Sequence, residues 1–86
     1  MATDKLLAKW FSDHSAETYK NYFEFLKFPS VSTDPKYRQA TVDCALFLKK
    51  HLQQIGLKSS LIDTAGCPLV FAETAFIEKA PTVLIY

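Results

Sequence analysis

Apolar residues recur at helical spacing along the first third of the chain. Leu6, Leu7, Trp10 and Phe11 fall at i, i+1, i+4, i+5, and Tyr19, Tyr22, Phe23 and Leu26 at i, i+3, i+4, i+7. Each set predicts an amphipathic helical stretch. Ser12-Asp13-His14-Ser15 between them supplies several helix-capping side chains, and the spacing leaves open one kinked helix or two. The second stretch stops before Pro29, because the residue preceding a proline is driven out of the helical region.

Ser30-Val31-Ser32-Thr33-Asp34-Pro35 reads as a loop that closes on a helix-start signal. Asp caps the first amides, and proline suits the first helical position, where its missing N–H costs nothing. The helix that follows is expected over roughly Lys36 to Ile55, with Val42, Ala45, Leu48, Leu52 and Ile55 inward and Lys49, Lys50, Gln53 and Gln54 wet, His51 nearby. Gly56 stands where a left-handed C-terminal residue is wanted.

The period then changes. Leu57 to Asp63 and Leu69 to Thr74 read as strands joined by the turn Thr64-Ala65-Gly66-Cys67-Pro68, and the short linker predicts an antiparallel hairpin. Ala75 to Lys79 reads as a loop. Thr82-Val83-Leu84-Ile85-Tyr86 is apolar without alternation, the pattern of a strand covered on both faces and typical of the middle of a parallel sheet. The loop after such a strand borders the ligand crevice of α/β proteins. There is no internal repeat and no low-complexity segment.

Composition changes this picture in one respect. The chain has 86 residues, of which 49% are hydrophobic and 14% aromatic. A domain this short buries only roughly 60–65% of its unfolded surface. So much apolar surface predicts a partner: the remainder of a larger domain or another copy of the chain. Ten basic and nine acidic residues give a net charge of +1, which makes no case for nucleic acid or for a membrane surface. No signal peptide or 18-residue apolar span is legible. Cys44 and Cys67 lack CxxC spacing, and reduced thiols in a cytoplasmic protein are the expectation.

Candidate chemistry is sparse. His14 and His51 lie on separate helices without the short ligand spacing of zinc sites, and each is expected at the surface. Cys44 is expected buried beside the helix core. Cys67 is expected partly exposed in its turn, with no neighbouring base to activate it. Asp13, Glu17, Glu24, Asp34, Asp43, Asp63, Glu73 and Glu78 form no close carboxylate pair. The helical spacing of Tyr19, Tyr22, Phe23, Phe25 and Phe28 assigns them to core packing rather than to a stacking platform. Ser30 and Ser32 lack the glycine-rich turn of a phosphate cradle and are expected to satisfy backbone amides.

Four pieces occur in a recognisable order: the helix ending Phe25-Leu26-Lys27-Phe28-Pro29-Ser30-Val31-Ser32, the helix ending Gln54-Ile55-Gly56-Leu57, the segment Asp63-Thr64-Ala65-Gly66-Cys67-Pro68-Leu69-Val70, and the run Ala80-Pro81-Thr82-Val83-Leu84-Ile85-Tyr86. Together they resemble the N-terminal part of the M20 zinc metallopeptidases, closest to the dipeptidase and carnosinase-like branch, over nearly all 86 residues. The resemblance implies an α/β fold: residues 1–86 would supply the N-terminal helices and first strands of a three-layer α/β/α catalytic domain. In that family two zinc ions activate water, a glutamate is general base, and dipeptides or short peptides are cleaved. The strand matching Thr82–Tyr86 continues there into Gly-His-x-Asp, which carries the first zinc ligand. That segment would begin one residue beyond Tyr86. No position here matches a metal ligand, the bridging Asp or the catalytic Glu, so no catalytic, metal or substrate-binding residue is assigned, and no cofactor is expected on this segment itself. Two alternatives remain: an N-acyl amino acid hydrolase of the same superfamily, and a non-catalytic interaction module.

Overall fold

The structure, a computed structural model, describes residues 2–86. Its order is helix α1 (Ala2–Leu26), a 3-10 turn (Pro35–Tyr37), helix α2 (Arg38–Gln54) and strands β1 (Lys58–Ile62) and β2 (Leu69–Glu73). The class is mixed α and β, with one two-stranded antiparallel sheet.

The two N-terminal stretches form a single helix. Lys9 and Asp13 pair across one turn at 2.8 Å, and Lys27 with Glu24 at 3.0 Å. The last turn tightens through Lys27 N to Glu24 O and Phe28 N to Phe25 O before Pro29 stops it. At roughly 100° per residue, the Leu6–Phe11 stripe and the Tyr19–Leu26 stripe point roughly 140° apart around the axis. One flat partner does not cover both. Only the C-terminal end of α1 is docked: Phe28 and Phe25 pack on Phe47 of α2, with ring centroids 5.3 and 6.5 Å away.

Helix α2 begins as its sequence predicts. Asp34 is extended (φ −113°, ψ 117°), and its Oδ1 accepts from Lys36 N at 3.0 Å. The proline opens a 3-10 turn that runs into α2. At the other end Gly56 takes φ 96°. Leu57 N donates to Leu52 O at 3.0 Å and Gly56 N to Gln53 O at 3.1 Å, the two-bond Schellman closure that satisfies the last carbonyls.

The hairpin forms in the expected place. Lys58 faces Glu73, Ser60 faces Phe71 and Ile62 faces Leu69 on the outer face; Ser59 faces Ala72 and Leu61 faces Val70 on the inner face. The inner residues are half-buried and the outer ones exposed, because α2 packs against the inner face of both strands. In the turn, Thr64 Oγ1 accepts from Gly66 N at 3.0 Å and donates to Cys67 O at 2.6 Å.

Three expectations are corrected. Thr82–Tyr86 forms no strand: it runs past the hairpin without a ladder, Val83 to Tyr86 exposed. β propensity expresses fit to a half-buried pleated surface, and here no second layer offers one. A turn at Ile77–Ala80, with Ala80 N to Ile77 O at 3.2 Å and Lys79 at φ 64°, leads into this tail. Tyr19, Tyr22 and Phe23, assigned to the core with Phe25 and Phe28, are exposed by half or more, since their stripe faces away from α2. Ile55, assigned to the core of α2, is 60% exposed, while Lys49 and His51 are half-buried.

Among the described residues only Cys44 and Ala45 are buried, and neither completely, at 6% and 8% exposure. The accessible surface is 7670 Å², against about 5,200 Å² for a compact monomer of 9.8 kDa. The radius of gyration is 15.8 Å, against about 12 Å for a compact domain of this length. The apolar excess in the sequence therefore reappears as uncovered surface.

Candidate functional site

Two shallow hollows and a set of exposed apolar side chains are the candidates. The first hollow, of about 130 Å³, is lined by Ser32, Thr33, Asp34, Pro35, Arg38, Thr41 and Cys67. It gathers a loop, the start of α2 and the hairpin turn. Two of its polar groups are partly engaged: Asp34 Oδ1 caps Lys36 N, and Thr41 Oγ1 donates to Tyr37 O at 3.0 Å. What remains is the other carboxylate oxygen of Asp34, one guanidinium, two hydroxyls and one thiol. The second hollow, of about 170 Å³, lies between the helices and is lined by Asn21, Phe47, Lys50, His51 and Gln54.

The sorting of side chains between the hollows decides the chemistry. Cys67 lines the first and His51 the second, so this thiol and imidazole are not brought together. Cys44 is buried in α2 at 6% exposure. His14 is exposed, its Nδ1 donating to Trp10 O at 2.7 Å. The first hollow sets the Cys67 thiol and the Asp34 carboxylate on one rim, and the second sets Lys50 beside His51; no hydrogen bond joins the members of either pair. Among the described residues no three His, Cys, Asp or Glu side chains converge to hold a metal ion. The association of Ser32, Arg38 and Cys67 is new relative to the sequence reading, which placed them on three elements with no spacing signal to link them.

The apolar surface is the larger feature. Ile62, Leu69 and Phe71 on the outer hairpin face are 44%, 57% and 49% exposed, and Val83 to Tyr86 are 79% or more. Leu6, Leu7, Trp10 and Phe11 are exposed separately, on α1. Exposed apolar side chains grouped on one face mark an interaction surface. Among the described residues no helix is long and apolar enough to cross a membrane. No family model, curated protein or solved structure matches the chain.

Proposed function

We propose that this chain is an N-terminal scaffold segment of an M20-type metal-dependent exopeptidase acting on dipeptides or short peptides, and that it is inactive by itself. One observation carries the reading. The hairpin is covered by α2 on its inner face, while its outer face carries the exposed apolar group Ile62, Leu69 and Phe71 beside polar Lys58, Ser60 and Glu73, and an apolar group left bare there suits a second layer packed against the turn end of the sheet. The ordered sequence pieces supply the family. In such a domain α2 and the hairpin form one wall, and Thr82–Tyr86 enters the sheet and aims the segment that follows it. The unpaired thiols Cys44 and Cys67 fit a reducing, cytoplasmic setting.

The test has two arms. The codons after Tyr86 are read for Gly-His-x-Asp, and the protein expressed from any longer reading frame is assayed for chelator-sensitive dipeptide hydrolysis. The expected result is the motif, activity in the longer protein, and none in the 86-residue chain. A stop codon or an unrelated polar segment after Tyr86, or chelator-sensitive hydrolysis by the 86 residues alone, sinks the proposal.

A further inference from the structure

We infer that the 86-residue chain, with nothing else to cover it, forms a reciprocal dimer in which Thr82–Tyr86 of each copy adds as a third strand along the free edge of β2 in the other. The inference goes beyond the peptidase reading and does not depend on it.

The first argument is chemical matching. The tail is apolar on both of its alternating faces, Val83 with Ile85 and Leu84 with Tyr86. Along the edge of β2 it meets Val70 and Ala72 on the inner face and Leu69 and Phe71 on the outer face, with Glu73 the one charged residue of that strand. The edge of β1 fits less well. Lys58, Ser59 and Ser60 are polar, and Gln53 Nε2 already donates to Ser59 O at 3.3 Å.

The second argument is backbone satisfaction. Strands β1 and β2 make a two-stranded sheet, so β2 presents one open edge, and an open edge is a template for another strand. The tail spans five residues, as do β1 and β2. Strand addition supplies main-chain hydrogen bonds for affinity and alternate side chains for specificity.

The third argument is area. The surface in excess of a compact monomer is about 2,500 Å² per chain. A standard interface needs only about 800 Å² from each partner. Exchange of identical strands between two copies is self-complementary and closes on itself, whereas one-way addition would grow into a filament.

The test uses the whole chain in reducing buffer. Light scattering and sedimentation across a concentration series are expected to give twice the 9.8 kDa chain mass, without larger species. Leu84→Lys is expected to weaken association by about tenfold or more. Its far-UV circular dichroism should keep the helical signal and lose only the strand contribution of the tail, because the tail takes no part in the fold of one copy. Glu17→Lys, at an exposed position of α1, is expected to leave association intact. In a mixture of labelled and unlabelled chains, Leu84 of one copy is expected to show intermolecular NOEs to β2 of the other. A strict monomer, open-ended oligomers, or a dimer without those NOEs overturns the inference.

Discussion

The imidazole of His14 lies flat on the indole of Trp10, with ring centroids 4.2 Å apart and planes 12° from parallel. The same imidazole donates through Nδ1 to the Trp10 carbonyl at 2.7 Å. Both contacts are one helical turn long, so they hold only while α1 is helical there. Trp10 is the only tryptophan in the chain.

The near-UV circular dichroism of Trp10 should therefore report this junction, because the stack fixes the indole in one asymmetric setting. His14→Ala is expected to reduce the tryptophan band and His51→Ala to keep it. An unchanged band in His14→Ala would show that the stack does not form in solution.

Phe47→Ala should release α1 from the body. Phe47 receives both Phe25 and Phe28 and is itself only half-buried. The expected loss is about 2 kcal/mol, below the range for fully buried phenylalanines. Limited proteolysis is expected to cut faster in the loop between Leu26 and Asp34, with the hairpin still protected. Unchanged cutting would mean that α1 is held elsewhere.

Gly56→Ala isolates a backbone effect. A Cβ built at Gly56 meets nothing within 4 Å, yet φ is 96°. The variant is expected to lose about 1 kcal/mol through conformation alone. Denaturant unfolding should show a lower midpoint at constant slope. No change would mean that α2 ends differently in solution.

Ser59→Ala should stabilise the hairpin. Ser59 Oγ is buried between α2 and the sheet without a hydrogen-bond partner, and an orphaned hydroxyl costs about 1–3 kcal/mol. Replacing it with a methyl is expected to recover about 1 kcal/mol, read as a higher thermal midpoint. A lower midpoint would show that water or a backbone group serves the hydroxyl.

What the sequence made legible was local. Asp34-Pro35 and Gly56 bound α2 through bonds their own backbones make, and the five-residue linker Thr64–Pro68 dictated the hairpin. What escaped was relational. Whether Tyr19 and Phe23 are core depends on what lies roughly 140° from the Leu6 stripe, and no residue within the chain encodes that. Thr82–Tyr86 has strand composition, but a strand needs a neighbour to supply its ladder. The hollow of Ser32, Arg38 and Cys67 exists only because α2 and the hairpin turn meet.

Helix α1 has one further property that follows from where Phe25 and Phe28 are pinned. From Phe25 to Leu6 the helix runs about 28 Å at 1.5 Å per residue. With its fulcrum at Phe47 it is a lever: a swing of about 10° there carries Leu6 through about 5 Å. Small adjustments in the Phe25–Phe28–Phe47 seat are thus geared up at the far end. The angle at which Leu6, Leu7, Trp10 and Phe11 are offered to a partner is set by three phenylalanine rings that the partner need never touch.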